Sequence, residues 1–147
     1  MKDARKVKDD EGSLPTGPGD QIPSAPSPAD LGRQGEEEAA RYLRSLGWTI
    51  LGRNLRAGKS EIDLACLEPC RGDLPNGVIV EVKCRSGTGF GDPLEAITYA
   101  KRQRLRQLAT SWRRASGLAI SSLRVDAVGI LKLPGSAPLI RHVRGVA

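Results

Sequence analysis

Two short apolar runs, each carrying charges at alternate positions and separated by a turn-rich stretch, constrain this chain more than anything else in it. They are Glu61-Ile62-Asp63-Leu64-Ala65 and Val78-Ile79-Val80-Glu81-Val82-Lys83. A β-strand sends successive side chains to opposite faces, so Glu61 and Asp63 are predicted to share one face of the first run, opposed to Ile62 and Leu64. In the second run Glu81 and Lys83 share a face and Val78, Val80 and Val82 take the other. Same-face neighbours along a strand lie about 6–7 Å apart. Pairing of the two runs as a hairpin therefore gathers Asp63, Glu81 and Lys83 into one cluster. The solvent face of an edge strand gives similar letters, but an acid on a neighbouring run in a basic chain favours a site.

Carboxylates and a lysine in this arrangement are the groups that hydrolysis of a phosphodiester uses. A hard divalent cation, Mg²⁺ or Mn²⁺, takes oxygen ligands, here Asp63, Glu81 and the backbone carbonyl of Val82. A lysine beside it can orient or deprotonate the attacking water, which is the role expected of Lys83. Glu61 is expected in support.

Charge is unevenly spread. The segment from Lys101 to Arg114 holds Lys101, Arg102, Arg104, Arg106, Arg113 and Arg114 with no acid, and so equals the whole chain's net charge of +6. A one-sided cationic face suits a polyanion, because each phosphate it neutralises releases condensed counterions. A solvated helix face is the plainer reading of such a run. An acidic membrane surface fits less well, since the apolar positions of this segment are better used in a core.

The chain has 147 residues, a hydrophobic content of 39% and no long apolar run, which predicts a single soluble domain without a membrane span. Its start has charges but no apolar stretch before the prolines, so no secretory signal is read there, and a cytoplasmic location is expected. Five of the ten prolines fall between Pro15 and Pro28. Residues 1 to about 30 are therefore expected to be a disordered tail, with a folded domain over 31–147. Cys66, Cys70 and Cys84 are expected as reduced thiols, Cys66 and Cys84 packing as small hydrophobes. Zinc is not supported, because these three cysteines and the only histidine, His142, include no CxxC pair.

A helix is predicted from Gln34 to Leu46, with Ala39, Leu43 and Leu46 on one stripe and Gly47 as its stop. Glu36 shares that stripe; it is either a first-turn acid favoured by the helix dipole or a carboxylate turned toward a polar site. Strands are predicted over Trp48–Leu55, Glu61–Leu67, Val78–Cys84 and Leu123–Leu131, with a short fifth at Pro138–Val143. Arg53 ends the first strand and Arg85 leaves the third, where a guanidinium can hold a phosphate bidentately. The Gly87–Gly91 stretch reads as a connector or a lip over substrate. Pro93 can open a helical region whose buried stripe is Leu105, Leu108, Ala109 and Trp112. Asp126 in the fourth strand reads as a salt-bridge residue. The order α-β-β-β-α-β implies an α/β fold, a mixed sheet flanked by helices.

Gly35-Glu36, Leu51-Gly52-Arg53-Asn54, Glu61-Ile62-Asp63-Leu64, Val80-Glu81-Val82-Lys83 with Arg85, Phe90-Gly91-x-Pro93-x-Glu95-Ala96, Lys101 and Arg104-Leu105 resemble, in order, the motifs of the YraN-like bacterial proteins. That family is similar to the PD-(D/E)xK nuclease superfamily, and especially to the Holliday-junction-resolving nucleases. The resemblance covers about residues 31–131 and implies a restriction-endonuclease-like fold. It departs from the family at Lys59-Ser60, where glycines are usual, and in the long loop from Glu68 to Gly77. In the junction-resolving relatives a first-helix acid joins the site, which implies that role for Glu36.

Together these readings give the expected function: a Mg²⁺- or Mn²⁺-dependent endonuclease acting on branched or structured DNA, in DNA repair or recombination. Phosphate contacts are expected from Arg53, Arg85, Lys101, Arg102, Arg104 and Arg106. Junction resolution would require two sites and so a homodimer. The alternative is a non-catalytic nucleic-acid adaptor working through the basic helix and a protein partner. RNA as the polymer uses the same chemistry.

Overall fold

The computed structural model describes residues 27–87, 94 and 97–147. The expected tail up to residue 26 lies outside these, as do Thr88 to Gly91, Pro93, and the Phe90 to Ala96 motif apart from Leu94. Helix α1 (Pro28–Ser45) starts ahead of the predicted Gln34 because Ser27 caps it, its hydroxyl accepting from the Asp30 N–H at 3.1 Å, with Pro28 in the first turn. Proline's fixed φ suits that position, so residues 28–30, assigned to the tail by composition, form helix. Gly47 ends α1 as expected, at φ 89°, donating its N–H to the Arg44 carbonyl at 2.9 Å.

Five strands follow: β1 (Thr49–Ala57), β2 (Ser60–Glu68), β3 (Asn76–Ser86), then, after helix α2 (Tyr99–Ser116), β4 (Leu123–Lys132) and β5 (Leu139–Val143). They form one mixed sheet in the order β1-β2-β3-β4-β5, the mixed sheet flanked by helices that the sequence predicts. β1, β2 and β3 pair antiparallel in succession, β3 and β4 run parallel, and β5 returns antiparallel on β4. The parallel pair requires a crossover, which α2 supplies.

Each face of the sheet buries one helix. Ala39 and Leu43 of α1 pack on Leu64, Cys66, Val78, Val80, Val128 and Ile130. Leu105, Leu108 and Ala109 of α2 pack on Ile62, Ala65, Ile79 and Val125. The three cysteines are free thiols, and burial pushes the Cys66 thiol up to about 12, with the charge of Asp126 adding to it.

A buried polar network joins the α1 face to β4 and β5. Asp126, fully buried, accepts from Arg124 Nε at 2.7 Å and Nη2 at 3.0 Å and from the Gly145 N–H at 3.0 Å. His142 Nε2 lies 2.8 Å from the same carboxylate, and its Nδ1 lies 3.0 Å from the Tyr42 hydroxyl. Glu68 is bound by Arg124, Arg144 and Asn76. Hydrogen bonding from Arg124 above all holds its carboxyl down at about 2. Both guanidinium groups approach the Trp48 ring, at 5.7 and 5.6 Å. Asp126 is thus a structural salt-bridge residue, as read from sequence.

Gly35 sets how closely α1 lies on β3. A Cβ there would stand 2.6 Å from Cys84 Cβ, a separation that side chains do not tolerate. Gly35→Ala should therefore lower unfolding stability by about 1–3 kcal/mol although alanine is the better helix former. Urea titration of the two proteins checks this; equal midpoints would show that the helix is not held at this spacing.

Candidate active site

The β2–β3 ladder ends at the pair Leu64↔Val80, whereas β2 stays paired with β1 out to Ala57↔Ser60. Past Leu64 the two strands part, and the gap between them is where the acids gather. Carrying the register one step on sets Asp63 opposite Glu81. The Val82 N–H, with no β2 carbonyl to meet, donates to Asp63 Oδ2 at 2.8 Å.

The strict alternation expected of β2 fails here. Ile62 and Leu64 are predicted on one face, but Ile62 joins the α2-side core and Leu64 the α1-side core. The break coincides with Asn54 on the neighbouring β1, which has φ 51°, a left-handed conformation that asparagine tolerates better than most residues. Asn54 lies between Arg53↔Leu64 and Leu55↔Ile62 in the register, and so opposite Asp63. Lying between residues that turn to opposite faces, Asp63 directs its carboxylate sideways toward β3.

Glu81 is buried, at 8% exposure, and two ammonium groups share its Oε1: Lys83 Nζ at 3.4 Å and Lys101 Nζ at 2.9 Å. Burial, followed by the charge of Glu81, pushes the Asp63 carboxyl up to about 7, with Glu36 adding to the rise and the Val82 N–H opposing it. Burial and the neighbouring Lys101 lower the pKa of Lys83. Burial opposes the charge on Lys101 too, but Lys83, Glu81 and Asp63 more than offset it and hold its pKa above the ordinary value.

The structure therefore brings Asp63, Glu81 and Lys83 together, adds Lys101, and sets Glu36 close enough for its charge to be felt at Asp63. Glu36 is itself held by Asn54 Nδ2 at 3.0 Å. Glu61 is not brought in. It is exposed and paired in register with Arg56, because the turn of the strand at Ile62 separates its direction from that of Asp63. Arg53 is occupied on the α1 side by Glu37 Oε2 at 2.7 Å. Arg85 follows Glu81 and Lys83 at alternate positions of β3. Arg102, Arg104 and Arg106 are exposed on α2. Arg104 lines an open cavity of about 450 Å³ between α2 and the β1–β2 turn, with Gly58, Ser60, Gln107, Leu108 and Ser111.

Sequence reasoning gave Asn54 no role in the site, although it stands in the Leu51-Gly52-Arg53-Asn54 motif and is a poor strand former inside a strand. It placed Lys101 with the surface cations rather than in the cluster.

Among the described residues no three His, Cys, Asp or Glu side chains converge as a closed metal cage. Asp63 and Glu81 supply two carboxylates, which suits a cation such as Mg²⁺ that keeps several waters. The N–H and C=O of a residue in an extended strand leave on the same side, so the Val82 carbonyl shares the side on which its N–H meets Asp63. Burial first, and then the charges of Glu81 and Glu36, disfavour the ionised Asp63 carboxylate, and a cation beside it would offset both.

Comparison with known proteins agrees with the motif resemblance. The family model described as "Uncharacterised protein family UPF0102" matches residues 35–130. A UPF0102 protein of Nocardia farcinica is 43% identical over 116 residues, 79% of this chain and 87% of the relative. One of Rhodococcus jostii is 46% identical over 114 residues, 78% of this chain and 92% of the relative. One of Leifsonia xyli is 43% identical over 117 residues, 80% and 95% of the two chains.

Asp63 and Glu68, whose carboxyl pKa values are displaced in opposite directions, predict opposite slopes of stability against pH. Asp63 has a folded pKa near 7, above its ordinary 3.8, so the stability it contributes is full below about pH 4 and is lost as pH rises to about 7. Glu68 has a folded pKa near 2, below its ordinary 4.5, so its contribution is present above 4.5 and is lost as pH falls toward 2. In chelator, Asp63→Asn should flatten the decline between pH 4 and 7 and leave the acid limb alone. Melting curves across that range check it; a decline unchanged in the variant would contradict the assignment.

Proposed function

The chain belongs to the uncharacterised protein family UPF0102, and from that premise we propose that it is a metal-dependent endonuclease hydrolysing phosphodiester bonds in branched or structured DNA. One observation carries the reading: Asp63 opposes Glu81 where β2 and β3 part, with Lys83 on the Glu81 carboxylate. Asp63, Glu81 and the Val82 carbonyl are the groups that would hold Mg²⁺ or Mn²⁺. The bound cation supplies polarisation of a phosphoryl oxygen and countercharge for the acids.

This chain's own groups supply the rest. A lysine with a lowered pKa has more of its neutral amine available, which lets Lys83 accept a proton from the attacking water or orient it. Glu36, held by Asn54, keeps a negative field on Asp63. Arg85 and the exposed Arg102, Arg104 and Arg106 meet phosphates around the site, in keeping with the net charge of +6.

No described helix is long and apolar enough to cross a membrane; we place the protein in the cytoplasm with its nucleic acid, in DNA repair or recombination. Resolution of a four-way junction would need two such sites, hence a homodimer. A non-catalytic nucleic-acid adaptor is the second reading, favoured by the two ammonium groups already on Glu81.

Cleavage of linear, nicked, flapped and four-way DNA in Mg²⁺ or Mn²⁺ tests the proposal. Asp63→Asn and Glu81→Gln should abolish it. Lys83→Ala should slow it about 10²-fold or more while metal still raises the melting temperature. Full activity in purified Lys83→Ala protein would contradict the mechanism. Retained binding without cleavage by the parent would favour the adaptor.

A further inference from the structure

We propose that Lys101 is a phosphate-binding residue of the site itself, held on Glu81 until nucleic acid arrives, and distinct from the surface cations that follow it on α2. The inference rests on the nucleic-acid reading above and assigns this lysine the phosphate nearest the carboxylates.

The first ground is charge balance. Lys101 Nζ is 2.9 Å from Glu81 Oε1 and Lys83 Nζ is 3.4 Å from the same oxygen, with side-chain exposures of 26% and 22%. One buried carboxylate oxygen is thus shared by two lysines, so neither has a carboxylate to itself, and Asp63 is the next acid whose charge reaches Lys101. A phosphate oxygen is an anion of the right size to complete the set. A divalent cation arriving at Glu81 would repel the ammonium ions further and leave Lys101 needing another partner.

The second ground is where the lysine stands on its helix. Thr98 caps α2, its hydroxyl accepting from the Lys101 N–H at 3.2 Å, so Lys101 is the third helical residue. A capping box places Glu or Gln there, and the positive end of the helix dipole disfavours a cation. The first turn of α2 contains no acid, and Arg102 follows directly. The helix start therefore concentrates positive potential beside the carboxylates, where its first N–H groups also lack helical partners.

The third ground is reach. Arg102 and Arg106 are exposed one helical turn apart on the same face of α2, so a strand tracking them arrives at the first turn of the helix. The four-carbon stem of lysine lets its ammonium move from carboxylate to phosphate without movement of the backbone. A purely structural clamp between α2 and β3 would show the same resting ion pair, and the two roles separate in solution.

The test is a double-mutant cycle read as binding of fluorescein-labelled duplex and four-way DNA by anisotropy, in EDTA so that no metal is involved. Glu81→Gln frees Lys101, and binding should tighten about tenfold with a salt slope steeper by about one unit. In the Lys101→Met background the same Glu81→Gln change should give little gain, and in the Lys83→Met background most of the gain should remain. Melting curves report folding, and Lys101→Gln repeats the cycle should the Met variant unfold. Equal gains with and without Lys101 would overturn the proposal and leave it a clamp. Absence of binding by every variant and by the parent would overturn the nucleic-acid reading, and the role of Lys101 with it.

Discussion

The hydrogen bond from the Val82 N–H to the Asp63 carboxylate is the contact on which the site depends. A backbone donor left without a ladder partner must find an acceptor, and where β2 parts from β3 a side chain of β2 takes the place of its backbone. Asp63 does this at the first position past Leu64↔Val80. The parting opens the sheet beside Glu81, and the spent oxygen fixes the carboxylate in the gap. Everything proposed for the site follows from two acids held face to face at a place where the sheet no longer covers them.

Among the described residues the buried and partly buried acids around Glu68 and Asp126 and those around Asp63 and Glu81 are distinguished by their partners. Around Glu68 and Asp126 each carboxylate meets arginine, histidine, asparagine or backbone donors, and Glu68 is held far down, near 2. That is how a structural network looks: its charges are answered within the fold. Around Asp63 the balance is reversed, since burial and the two other acids push its carboxyl up to about 7. Strong perturbation by desolvation and like charge, at the open end of a sheet, is the pattern of a working site. The well-satisfied cluster ties β5 and α1 to β4, which lets the sheet carry the poorly satisfied one.

Much of this was legible in sequence. The hairpin, Ala39 and Leu43 of the α1 stripe with Gly47 as its stop, the stripe of Leu105, Leu108 and Ala109, and the structural role of Asp126 all follow from period and turn chemistry, but Leu46, predicted on the α1 stripe, is exposed at the C-cap of the helix. The side to which Ile62 turns does not. It coincides with the left-handed Asn54 of the neighbouring strand, and hydrophobic alternation carries no signal for a single backbone angle. Glu61 looked equivalent to Asp63 for the same reason. Lys101 was visible only as one cation of a basic run; its reach to Glu81 depends on how α2 docks on the Ile79 face, a tertiary fact. Pro28 was read by composition as tail, when its position after Ser27 made it the start of a helix.

On the proposed function, the parted ends of β2 and β3 hold a divalent cation between Asp63 and Glu81. Diffraction from crystals soaked in Mn²⁺ at the manganese absorption edge tests it most directly. One anomalous peak per chain is expected, in contact with both carboxylates and the Val82 carbonyl, and it should vanish in Asp63→Asn crystals. A well-diffracting soak with no peak there, or with a peak only at some other carboxylate, would contradict it.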